Sequence, residues 1–135
     1  MKENFDNCLA HVLKSEGGYV NNPKDPGGET NLGVTKRVWQ DWVKRELHDD
    51  EMRHLTPDMV APLYRQKYWD AIQGDLLPSG LDLCLFDSAV NVGVSRAVRF
   101  VQRSVGAVED GEMGPQSLDL VKAKNTTVLI ADVCA

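Results

Sequence analysis

The chain reads as an α+β protein in which helices dominate and one small β-hairpin excursion follows the first helix. Three observations predict this. Apolar residues recur at helical spacing over most of the sequence. Start and stop signals at Gly17–Gly18, Thr56–Pro57, Gly106 and Gly114–Pro115 cut that pattern into short pieces. One stretch, SEGGYVNNPKDPGGETNLGVT at 15–35, holds too many glycines and prolines for a plain helix or a plain strand. With 135 residues, 42% of them hydrophobic, the chain is long enough to bury one core, so a single domain over 1–135 is expected.

Phe5, Cys8, Leu9, Val12 and Leu13 fall on one helical face, and Gly17–Gly18 stops that helix with Glu16 at its end. The turn-rich loop follows, and its flanks YV and NLGV are expected to pair as a short irregular hairpin. Thr35 caps a second helix running through Val38, Trp39, Trp42, Val43 and Leu47. Thr56 caps a third, with Pro57 at its first position, and Pro62 should kink or shift it. LDLCLFDSAVNVG is apolar on more than one face and reads as a buried central helix. Ser95 caps the next helix, which Gly106 ends, and EDGEMGP is a turn from which Pro115 opens another. A last segment, VLIADVCA, is capped by Thr126 or Thr127, and its apolar face is unfinished where the sequence stops, the pattern of a truncated end.

Composition excludes several functions. The formal net charge is −5 and no Lys/Arg tract is present, so the phosphate-driven affinity of nucleic-acid binders is not supported. The most apolar stretch is shorter than the roughly 20 residues a membrane span needs, and stable membrane insertion is not expected. The first residues carry acids where a signal peptide has an apolar run, which points to synthesis in the cytoplasm. Cys8, Cys84 and Cys134 read as buried thiols, and His11, His48 and His54 lack metal-ligand spacing, so neither a metal nor a cofactor is expected.

Chemistry points to the glycine-rich stretch. A carboxyl at a helix end facing a polar loop suits a general acid, since partial burial favours a group that keeps its proton. Asp25 lies nine residues after Glu16, and Thr30 five after that; a returning hairpin could bring both near the carboxyl to position a water. That is the layout of an inverting glycosidase, with one acid on the leaving oxygen and a second group activating water. On spacing alone the plainer reading leads: Glu16 as a solvated residue and Asp25 as an Asx-turn into PGG.

The same stretch resembles the EGGY…DPGG…TN.G.T signature of glycoside hydrolase family 108, the N-acetylmuramidases of phages and bacteria, some of them labelled secretion activator proteins. The likeness continues through YWD, LPSG and FDSAVNVG, and SRAVRFVQRSVGAVEDGEMGPQSL resembles that family's C-terminal peptidoglycan-binding region. The resemblance implies a lysozyme-like fold, with a catalytic region over 1–78 and a helical peptidoglycan-binding-like region over 79–135. It also implies hydrolysis of the β-1,4 bond between N-acetylmuramic acid and N-acetylglucosamine, with Glu16 as the acid. The Glu-x8-Asp-x4-Thr spacing is similar to the triad of phage-type lysozymes, which supports Asp25 and Thr30 as water-positioning groups, with Thr35 as the alternative. Ser15 stands where the family often has His. The partner implied is the peptidoglycan glycan strand, reached after release by a membrane-permeabilising holin.

For substrate contacts, Tyr19 and Trp69 offer flat faces that suit a pyranose, and Asn91 could bond an N-acetyl group or simply end a buried helix. Tyr68, Trp39 and Trp42 read as core, Asp87 as a buried hydrogen-bond anchor, Asp70 as a reserve second carboxylate, and the DGEMGP turn as architecture. Two other functions compete with the muramidase: a lytic transglycosylase, which needs no positioned water, and a non-catalytic cell-wall-binding or secretion-accessory protein.

Overall fold

The computed structural model describes residues 2–21 and 28–134, and of Cys134 only the backbone. Clustering of the chain gives two compact units, Leu9–Tyr64 and Met1–Cys8 with Arg65–Ala135. The divisions fall at Cys8–Leu9 and at Tyr64–Arg65. Helix α1, Phe5–Glu16, gives its first four residues to one unit and the rest to the other.

In the unit Leu9–Tyr64, α1 buries Val12 and Leu13 and leads into a three-stranded antiparallel sheet in the order β1-β2-β3. Strand β1 is Val20–Asn21, β2 is Glu29–Asn31 and β3 is Val34–Thr35. The strand that pairs with YV is therefore ETN, and NLGV is not a strand but the tight turn joining β2 to β3. Helix α2, Lys36–Val43, starts where expected, with Val38 N–H donating to the Thr35 hydroxyl at 3.2 Å. It ends before Leu47, because Lys44 turns into the left-handed region at φ 58° and its N–H closes on Gln40 O. A 3-10 turn, Met52–His54, precedes α3, Pro57–Tyr64. The Thr56 cap is present, accepting from Met59 N–H at 3.3 Å.

Pro62 lies inside α3, which ends two residues later at Tyr64. In the second unit the chain winds as a π-helix over Arg65–Trp69, with Asp70 N–H reaching back to Arg65 O. Helix α4, Leu81–Val92, packs on α5, Val94–Val105, and on α7, Thr126–Cys134; α6, Pro115–Ala123, packs on α5. Two caps and one buried carboxylate differ from the sequence reading. Gly93 at φ 93° separates α4 from α5 and starts α5 before Ser95. Asn125 caps α7 by accepting from Val128 N–H at 3.1 Å. The buried carboxylate of α4 is Asp82, bonded by Asn4, Gly80 and Leu83, while Asp87 is only half-buried.

Trp69 is fully buried in this core, edge-on to Phe5 and Phe86 with both ring centroids 5.4 Å away, and its indole N–H donates to Asp75 at 2.8 Å. Gly74 lies flat against the same ring: an added Cβ would overlap Trp69 Cδ2 and Cε2 and sit 2.9 Å from Cε3. Because the ring is held on every side, Gly74→Ala is expected to cost about 3 kcal/mol, read as the shift of a denaturant-unfolding midpoint. A shift under a quarter of that would mean the indole can move aside.

The DGEMGP turn is organised by buried Gln102, whose amide bonds Asp110, Glu112 O and Ser117 and whose carbonyl accepts from Gly111 N–H. Of the cysteines, Cys8 is a buried free thiol, pushed up to about 11 by burial and then by the charge of Asp82, and so is inert at neutral pH. Cys84 departs from the expected thiol, being disulfide-bonded. No helix among the described residues is long and apolar enough to cross a membrane, and no group of three or more His, Cys, Asp and Glu could hold a metal.

Candidate active site

Glu16 is the last residue of α1, and Gly17, at φ +80°, turns the chain out of the helix directly after it. A side chain disfavours that conformation, so the glycine is what leaves a half-buried carboxyl at the helix terminus. The chain passes through half-buried Tyr19 into β1, where Val20 pairs with Thr30 of β2 and Thr30 in turn pairs with Thr35 of β3. Thr30 thus sits mid-sheet and half-buried, while the Thr35 hydroxyl is engaged as the α2 cap. Asp25 lies outside the described residues.

The turn between β2 and β3 shapes the surroundings of the acid. Asn31 pairs with Val34, leaving Leu32 at φ 53° and Gly33 at φ 77°, the two positive values of a type I′ hairpin turn. A Cβ on Gly33 would stand 2.5 Å from the Tyr64 hydroxyl oxygen, 3.0 Å from Glu16 Cγ and 3.1 Å from Glu16 Oε2. The missing side chain is therefore what lets the acid lie against the turn. Tyr64, from the end of α3, donates to Leu32 O at 2.7 Å and locks the turn in place. Among the described residues the Glu16 carboxyl has no ion pair or side-chain hydrogen bond, which leaves its oxygens available to a ligand.

On the other side of the sheet's turn, buried Asn31 donates its amide to Met52 O at 2.8 Å and Arg53 O at 3.4 Å, pinning the 3-10 turn to β2. Arg53 then lays its guanidinium over the Tyr19 ring, 4.7 Å from the centroid. Glu51 secures the same turn: it accepts from the Trp39 indole at 2.7 Å, from Arg45 at 2.8 Å and from His48 N–H at 3.0 Å. The Arg45 hydrogen bond leads in holding the Glu51 carboxyl down to about 2; burial opposes it, and His48 N–H and Trp39 add to it. A carboxylate depressed in the folded state contributes stability that is complete above its unfolded value near 4.5 and is lost as pH falls toward about 2. Thermal midpoints of wild type and Glu51→Gln are therefore expected to differ at pH 7 and to converge as the pH falls from 4.5 to 2. Parallel curves across that window would remove Glu51 from the account.

This arrangement puts an unpaired carboxyl, a hydroxyl-bearing strand residue and an aromatic ring carrying a cation around one short hairpin. The family model described as Glycosyl hydrolase 108 matches residues 9–93, which is more than half of the chain and spans every residue just named. The chain belongs to that family. Among solved structures it is similar to one described as the structure of Brucella abortus SagA, with 37% identity and a TM-score of 0.84 over 99% of this chain and 77% of that one. The helix-dominated fold with its small antiparallel sheet is lysozyme-like, and family membership makes the protein a glycoside hydrolase. No curated protein matches the chain.

Set in the family's motif, the residues divide. Glu16, Tyr19 and Thr30 all lie in the unit Leu9–Tyr64. Trp69 and Asn91 belong to the other unit. Trp69 cannot stack on a sugar as expected, since its faces are taken by Phe5, Phe86 and Gly74. Asn91 is exposed, in the last turn of the largely buried α4. Asp70 is exposed beside Arg65 at 3.8 Å, also in the second unit. Gly33, Tyr64 and Arg53 are the residues sequence reasoning passed over. The one signal for them is the Asn-x-Gly triplet between β-forming residues, which marks a tight hairpin.

Proposed function

We propose that the protein is an N-acetylmuramidase that hydrolyses the β-1,4 bond between N-acetylmuramic acid and N-acetylglucosamine in peptidoglycan. Glu16 is the general acid. It protonates the leaving glycosidic oxygen while water attacks the anomeric carbon, and Asp25 and Thr30 orient that water. The observation that carries the reading is Glu16 itself. It is the Glu of the EGGY motif within the matched family region, fixed at a helix end, half-buried, and left without an ion pair among the described residues. Tyr19, three residues on, supplies a ring beside the acid for the apolar face of a sugar.

Mass spectra of the soluble fragments from purified sacculi test the reaction type. Hydrolysis gives muramic acid at new reducing ends. Fragments ending in 1,6-anhydro-muramic acid would instead make the protein a lytic transglycosylase and leave Thr30 and Asp25 without the water-positioning role. Sedimentation with sacculi without any released fragment would make it a wall-binding protein.

A further inference from the structure

The motif that carries the acid does not use Arg53, yet the fold holds this residue in place with some care. Its backbone carbonyl and that of Met52 are tied to β2 by the buried Asn31 amide, and its neighbour Glu51 is anchored by three donors. Its side chain is exposed and lies across the ring of Tyr19, three residues from Glu16. Arg45, Arg65 and Arg103 each have a carboxylate partner, whereas Arg53, like Arg37, Arg96 and Arg99, has none among the described residues; what sets Arg53 apart from those three is its place over an aromatic ring. A guanidinium held over a ring and bonded to no carboxylate has N–H groups to offer. Its N–H edge matches a planar carboxylate with two parallel hydrogen bonds.

We infer that Arg53, held across Tyr19, is a carboxylate receptor that reads an anionic substituent of the glycan substrate. This rests on the muramidase reading and adds to it a determinant of substrate choice. Two groups of peptidoglycan carry that chemistry. The lactyl side chain of muramic acid is a free carboxylate when the stem peptide has been removed, and the stem peptide bears its own carboxylates when it is present. Tyr19 and Arg53 then divide the work: the ring offers a surface to the sugar, and the cation selects the substituent attached to it. Arg53 is a binding residue in this scheme and takes no part in proton transfer.

The test compares wild type, Arg53→Gln and Arg53→Lys on intact sacculi and on glycan strands stripped of peptide by an amidase. Each substrate is used before and after its carboxyls are converted to amides. Arg53→Gln is expected to raise KM about tenfold on the substrate whose carboxylate is read, with kcat within about twofold of wild type. Arg53→Lys, which keeps the charge but loses the fork, should fall between the two. Amidation should lower wild type to the level of Arg53→Gln without lowering the variant further. A penalty confined to sacculi assigns the stem peptide, and one confined to stripped strands assigns the lactyl group. An equal KM for wild type and Arg53→Gln on both unmodified substrates overturns the inference while leaving the muramidase standing. So does a penalty that persists unchanged after amidation. Should wild type cleave none of the substrates, the muramidase reading fails. Sedimentation with stripped strands then decides Arg53 separately: weaker binding by Arg53→Gln supports it, and equal binding overturns it.

Discussion

Glu16→Gln is expected to reduce the release of soluble fragments from sacculi by about 10³-fold while leaving the fold intact. Glutamine has the volume and shape of the acid, so it keeps the contact with Gly33 and disturbs neither the turn nor α1. What it lacks is a proton acidic enough to give to a leaving alkoxide. Stability should hardly move, because the substitution keeps the size and shape of the side chain at the helix end. The variant should therefore unfold within a few degrees of the wild-type temperature. Lost activity together with unchanged stability marks a residue held in place for chemistry. Wild-type clearing by Glu16→Gln would falsify the assignment of the acid.

Gly33→Ala is the second large effect, because one methyl group meets two functional neighbours at once. At φ +77° an alanine carries about 1–2 kcal/mol of backbone strain. Its Cβ would also lie 2.5 Å from the Tyr64 hydroxyl and about 3 Å from the Glu16 side chain, both distances too short for unstrained contact. We expect a destabilisation of about 2–4 kcal/mol and, in the molecules that still fold, about a 10²-fold loss of turnover from displacement of the acid. The double variant Gly33→Ala/Tyr64→Phe separates the two contacts. Removing the hydroxyl relieves the closest overlap and should return about 1 kcal/mol of stability, whereas the methyl group still presses on Glu16 and activity should stay low. Strictly additive stabilities in this cycle would show that Gly33 and Tyr64 do not meet as described.

The helices and their limits were legible in the sequence because the signals for them are local. Thr35 and Thr56 cap by bonding an N–H three residues ahead, Pro115 opens a helix with its fixed φ, and Gly106 closes one in the left-handed region at φ 76°. The errors arose where local signals tie. Ser95 and Thr126 are acceptable caps, but Gly93, two residues earlier, and Asn125, one residue earlier, take the position. NLGV reads as a strand because it flanks the loop opposite YV, yet its Leu-Gly centre is a turn once β2 and β3 pair on either side.

The site shows the same divide. Glu16 could be singled out from the sequence because a helix stop, two glycines and a family motif all meet there. Tyr64 and Trp69 could not be sorted by pattern, since both are aromatic residues on an apolar helical face. Both are buried, and what separates them is the partners each meets, which depend on the whole packing. Trp69 is enclosed by Phe5 and Phe86, drawn from segments about 64 and 17 residues away in the chain, while Tyr64 reaches 32 residues back to Leu32.

By itself, then, the sequence determined the helix-dominated class, most helix starts and stops, and the placing of a carboxyl at the end of the first helix, all of which follow from interactions spanning a turn or two of chain. Only the tertiary structure decided that Gly33 makes room for Glu16, that Tyr64 locks the turn beside it, and that Arg53 lies over Tyr19 without a carboxylate partner among the described residues. Each of these joins residues more than fifteen positions apart. No local periodicity encodes such a meeting, because it is fixed by the packing of the folded chain.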